Sequence, residues 1–150
     1  MAIKLDFDLA AFHLVKQLYL EPYERIAPGL SNSIMESMIE NISKDLIKKI
    51  ELHLPGKGEV IYATVVKAYN RHRKFQQALI ADVNYFDYVG FERKDSRPFC
   101  LNLLKQAQKG KRWHITEILQ MYNGSNLSVN IFCGGENCRH DWEPDPFYEN

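Results

Sequence analysis

Cys133, Cys138 and His140 fall within the ten residues CGGENCRHDW near the end of the chain, and their types admit several chemistries. Thiolate sulfur and imidazole nitrogen are zinc ligands, and four residues between two cysteines fall inside the range for a zinc loop. Cys100 would then complete a site with Cys133, Cys138 and His140. Closed zinc sites usually present two tight ligand pairs, however, whereas Cys100 stands alone and His140 follows Cys138 so closely that strain is expected. The same thiols could form a Cys100–Cys138 disulfide, which a reducing cytosol disfavours, or pack as small apolar groups. Cys138 could be a nucleophile, its pKa lowered by Arg139 and His140. Neighbours on an extended loop point opposite ways, though, and no aspartate or asparagine marks itself as the orienting third member. No glycine-rich phosphate loop, His-Glu-x-x-His or Gly-x-Ser-x-Gly occurs. No catalytic residue is assigned, and the chain is not expected to be an enzyme.

Gly134 and Gly135 point to another use. Paired glycines adopt backbone angles closed to other residues and allow another segment to come close. Asn137 and Arg139 would hold such a loop by hydrogen bonds and Trp142 would plug it, making a structural clamp with Cys138 and His140. This is the favoured reading, with no cofactor required and zinc as the metal the spacing admits. Two basic runs, KAYNRHRK and KQAQKGKRWH, could meet phosphate through Lys67, Arg71, Arg73 and Lys74, and through Lys109, Lys111 and Arg112. On helices such runs more often form a solvated face.

These residues need elements to position them. The chain has 150 residues, 45% of them hydrophobic and 25% charged, with eight Phe, eight Tyr and two Trp, which is enough for one folded core. Nineteen basic residues balance nineteen acidic ones, so any attraction to nucleic acid must be local. No apolar run approaches a membrane span and the first residues do not read as a secretion signal, so a cytosolic origin and no membrane partner are expected. The apolar pattern from Leu5 to Leu20 suggests a helix over 8–20, ending near Pro22. Ser31 or Ser33 should cap a second helix whose apolar stripe runs through Met35, Met38, Ile39, Ile42, Leu46, Ile50 and His53. That stripe could also serve oligomeric assembly. A third, long helix is expected over 58–82. Beyond Asn84 come a short strand (86–91), helices in CLNLLKQAQKGK and TEILQMYNG, a strand in LSVNIFC, and an acidic tail. The expected fold is α+β, a mainly helical region (1–84) packed on a small module of short helices and a few short strands (85–150), together one folding unit.

Taken in order, FDYVGFERKDSRPFC, WHITEI and GGENCRHDWEP resemble the C-terminal module of the Mu F-like minor head proteins of tailed bacteriophages. Tyr88, Val89 and Gly90 match that family's aromatic Y-V-G strand, and Arg97, Pro98, Phe99 and Cys100 its R-P-F-C element. Trp113, Ile115, Thr116, Glu117 and Ile118 match its aromatic-led helix start in altered form. Gly134, Gly135, Asn137, Cys138, Arg139, His140, Trp142 and Pro144 match its closing loop. The resemblance spans about residues 86–145, and Cys133 is not part of the pattern. It implies a minor structural protein of the head or portal region, made in the bacterial host and carried in the virion, acting in capsid assembly, DNA packaging or DNA delivery. Its partners would be the portal or other head and neck proteins, with phage DNA as a further candidate. It also implies that Arg97 and Cys100 join the clamp, with Arg97 and Arg139 partnering carbonyls or acidic groups such as Glu117. The alternative is a small zinc-stabilised nucleic-acid-binding module. A toxin or transferase role has no residue set behind it.

Overall fold

A computed structural model describes residues 7–41 and 43–148. It shows an α+β fold, with helices throughout the first half and a three-stranded antiparallel sheet in the second. Leu5, Ile42 and the last two residues of the tail lie outside the described residues. Packing divides the chain between Tyr69 and Asn70, inside the long helix and not at Asn84. The reason is that Phe75 and Ala78, on the last turns of that helix, belong to the core of the second unit.

In the first unit, helix α1 (Leu9–Val15) runs through a π-helical segment (Lys16–Leu20) into α2 (Glu21–Ile26). Asp8 caps α1, its carboxylate accepting from the Ala11 N–H at 3.0 Å. Pro22 was expected to stop the helix and does not. It falls in the first turn of α2, where no donor is required of it. The expected second helix is two, α3 (Leu30–Glu40) and α4 (Lys44–His53). The break follows from Asn41, which adopts the left-handed conformation (φ 59°) that asparagine tolerates and that ends a helix. Neither Ser31 nor Ser33 caps α3. Gly29 takes that position at φ 87°, and the Glu24 carboxylate reaches forward to accept from the Gly29 and Ser31 N–H groups at 2.7 and 2.8 Å and from the Ser31 hydroxyl. The long helix α5 spans Gly58–Ile80 despite the β-branched residues at its start. Phe12, Val15, Leu20, Ile34, Ile50, Ile61 and Val65 are buried and form the apolar interior of this unit.

The second unit begins with the last turns of α5. Strand β1 (Tyr85–Val89) lies between β2 (Trp113–His114) and β3 (Asp141–Pro144). Alternation along β1 turns Phe86 and Tyr88 inward, opposite Trp113 and Trp142. Helix α6 (Pro98–Gln108) adds Cys100, Leu103 and Leu104 to this core, and α7 (Ile115–Leu119) adds Ile118. The LSVNIFC segment, expected as a strand, is a helical turn, α8 (Val129–Phe132). Its carbonyls are not taken by a neighbouring strand: Ile131 accepts from Arg71 and Val129 from the Trp142 indole. Strands β2 and β3 are too short, and β3 too acidic and proline-ended, to register as strands in the sequence. Both are edge strands, where proline does no harm.

Burial raises the Glu24 pKa, but the Ser31 and Gly29 N–H groups, the Ser31 hydroxyl and Lys16 outweigh it, leaving the carboxyl below its ordinary value. Its contribution is therefore present above the unfolded carboxylate range and lost as pH falls through the lower folded value. We expect Glu24→Ala to cost about 1 kcal/mol at pH 7, the usual scale for a lost helix cap. Urea titrations should show the gap between parent and variant closing in acid. A gap that is unchanged at pH 3 would refute this role.

Candidate metal centre

The loop from Cys133 to His140 is held from three sides within the second unit. Arg71 on α5 is 3% exposed, and its guanidinium donates to the carbonyls of Ile131 (3.1 Å), Cys138 (2.8 Å) and His140 (2.6 Å). Its Nε makes no hydrogen bond and faces the Asp141 carboxylate at 3.5 Å. Arg97, at the start of α6, donates to the Glu136 carbonyl at 2.5 Å. Asn123 donates to the Leu127 and Cys133 carbonyls at 3.0 and 2.8 Å, fixing where the loop departs. Trp142 closes it, fully buried, with its indole N–H on the Val129 carbonyl at 3.1 Å.

The two glycines serve different needs. Gly135 sits at φ 124°, which side-chain-bearing residues rarely adopt. Gly134 gives space, since a Cβ there would lie 2.5 Å from the Cys100 sulfur. A third glycine, Gly90, backs the site from the end of β1: at φ 140°, its Cβ would meet the His140 ring at 2.6 Å. Tyr88 stacks on that ring, with centroids 5.6 Å apart.

Three ligand atoms converge as a result. The Cys100 and Cys138 sulfurs are 3.7 Å apart and His140 Nδ1 is 3.6 Å from the Cys138 sulfur. All three ligand atoms lie within 4.8 Å of one another, so the cluster could hold a metal ion. The close spacing of Cys138 and His140 is no obstacle, because residues two apart on extended chain point to the same side and Arg139 turns outward. Cys133 does not join the group. It is buried beneath the loop at φ 52° and hydrogen-bonds the Cys138 thiol.

The electrostatics single out one sulfur. Cys138 accepts from the Cys100 and Cys133 thiols, and these bonds, with the N–H groups of His140 and Gly134, outweigh burial and lower its pKa. Cys100 is pushed up by donating to Cys138 and by burial, and Cys133 by burial foremost. The Tyr88 hydroxyl, itself pushed up by burial, donates to the Cys100 sulfur at 3.2 Å. His140 Nε2 lies 3.2 Å from the Phe91 carbonyl. A carbonyl can only accept, so Nε2 carries a proton, and in the neutral ring Nδ1 then presents its lone pair to the sulfurs. An outer hydrogen bond of this kind is what metal-ligating histidines make.

Comparisons with family models, curated proteins and solved structures find no match to this chain.

Other expected site residues are placed differently. Arg71, a candidate phosphate contact in a run read more readily as a solvated face, is neither: it is buried and its guanidinium is taken by carbonyls. Lys74 is paired with Asp141 and Glu143 at 2.6 and 2.8 Å, and Arg112 with Asp145 and Asp87 at 2.9 and 3.4 Å. Lys111 contacts Glu117 at 3.4 Å and lies over the Trp113 ring. Glu117 thus partners Lys111 and, through its other oxygen, the His114 N–H, and not Arg139, which is exposed. Arg71, Asn123, Tyr88 and Gly90 were not anticipated as holders of the loop. The signal for Arg71 was present: it shares a buried helix stripe with Ala68, Phe75 and Ala78 at steps of three and four.

Replacing Arg71 with Leu should cost roughly 3–5 kcal/mol, the scale of breaking a buried charged contact and leaving its partners unsatisfied. Lys74→Met, at a partly exposed pair, should cost about 1 kcal/mol or less. Chemical denaturation of both variants checks the order, and equal costs would refute the assigned burial. Gly134→Ala should destabilise comparably to a core overpacking mutation, about 1–3 kcal/mol; a neutral effect would mean that the loop does not rest on Cys100.

Proposed function

We propose that this protein is a minor structural component of a tailed-phage head or portal region, acting in capsid assembly, DNA packaging or DNA delivery and not in catalysis. One observation carries the reading. The segments that bear the Mu F-like resemblance, separated by tens of residues in sequence, meet in one knot: Tyr88 and Gly90 against His140, Arg97 and Cys100 against the Gly134–Cys138 loop, and Trp113 edge-on to Trp142 at 5.6 Å. A motif set scattered by chance would have no reason to converge. The role assigned to the knot is to keep a small module rigid while it docks on the portal or another head protein.

We further infer that the ion suited to the cluster is zinc, since two thiolates and a neutral imidazole are its preferred donors. Zinc would then staple a module whose core is small. The nucleic-acid-binding alternative has weaker support, because Arg71, Lys74 and Arg112 are engaged within the module.

Mass spectrometry of purified particles of the encoding phage, beside a pull-down with its portal protein, tests the structural role; the protein should be present in both, and its absence from particles and procapsids would overturn it. For the metal, protein purified without chelator should carry about one zinc per chain and melt lower once the zinc is removed. Cys138→Ser should abolish binding. A reduced protein that takes up no zinc refutes the metal reading and leaves the assembly reading standing.

A further inference from the structure

Cys100, Cys138 and His140 supply three ligands, and zinc takes four. All three residues line a cavity of about 160 Å³ whose other walls include Arg93, Arg97 and Arg139. We infer that the metal's fourth position opens into this cavity and takes an exchangeable anionic oxygen ligand, a carboxylate or a phosphate oxygen, oriented by the arginines. This rests on the zinc reading given above.

Charge and size favour that ligand class. Two thiolates neutralise the ion, so a further anion needs outside charge. The cavity lining offers three guanidinium groups against the carboxylates of Asp95 and Glu136. Arg93 leans on Asp95 at 3.6 Å, Arg97 is anchored on the Glu136 carbonyl, and Arg139 is exposed. The volume lies below the 300 Å³ or so at which pockets begin to enclose drug-sized ligands, and a small oxyanion or one carboxylate fits within it. The competing fourth ligand is Cys133. It reaches Cys138 but stands outside the mutual ligand group and is sealed from the cavity side.

Cobalt(II) substituted into the full chain discriminates these cases, because its visible absorption reports coordination number and sulfur count. Acetate and inorganic phosphate are the probes, and their separate titrations distinguish carboxylate from phosphate sources. The expected result is saturable change of the d–d bands by at least one probe, an unaltered starting spectrum in Cys133→Ala, and several-fold weaker probe affinity in Arg139→Gln at unchanged cobalt stoichiometry. A spectrum insensitive to both probes, with sulfur-to-cobalt absorption that falls in Cys133→Ala, would overturn the inference and make Cys133 the fourth ligand while keeping the metal site. Failure of the reduced chain to bind cobalt or zinc at all would instead overturn the zinc reading itself.

Discussion

A single buried guanidinium organises the second half of this protein. Arg71 reaches from the long helix into the core and takes the carbonyls of Ile131, Cys138 and His140, which would otherwise be buried acceptors without donors. A charge in that position is tolerated because both terminal nitrogens donate to carbonyls and the Asp141 carboxylate faces Nε at 3.5 Å. It also fixes direction. With the carbonyls of Cys138 and His140 both drawn toward Arg71, their side chains project together toward Cys100.

The surrounding residues complete that geometry by removing alternatives. Gly134 and Gly90 permit approach where any side chain would collide with the Cys100 sulfur or the His140 ring. Tyr88 and Trp142 wall the cluster from the core side, and the Phe91 carbonyl accepts from the His140 ring at Nε2. A polar group of three thiols and an imidazole in the interior of a small module contributes little as apolar packing. Shared protons on Cys138 offset part of that cost, and an ion of the kind proposed above would offset more. The same rigidity would suit the docking role proposed above, since a preformed surface loses less entropy on assembly.

Much of this was readable from the chain, and unevenly. The helical first half and the long helix followed from apolar periodicity, while the break at Asn41 did not, because one left-handed asparagine leaves no mark in a hydrophobic pattern. Asn41 tolerates a geometry; it does not announce one. The LSVNIFC turn was misread since its β-branched residues favour strands locally, whereas local N–H groups and the distant donors Arg71 and Trp142 together satisfy its carbonyls without a strand partner. Among site residues, Cys100, Cys138, His140 and the two glycines were legible from type and spacing. Arg71 lies on a helix stripe with Ala68, Phe75 and Ala78, but the basic run around it, which normally marks a solvated face, outweighed that signal. Burial reverses the meaning of such a residue, and burial is a tertiary property.

The account stands or falls on whether the loop presents an unprotonated His140 Nδ1 to the two sulfurs. Long-range ¹H–¹⁵N correlation spectroscopy of the His140 imidazole in metal-free, reduced protein at neutral pH reads this directly. A single neutral Nε2–H tautomer that slows its proton exchange through the Phe91 carbonyl, and whose Nδ1 resonance alone shifts on adding zinc, is the predicted result. A Nδ1–H tautomer, or a ring averaging freely between forms as in open solvent, would contradict it.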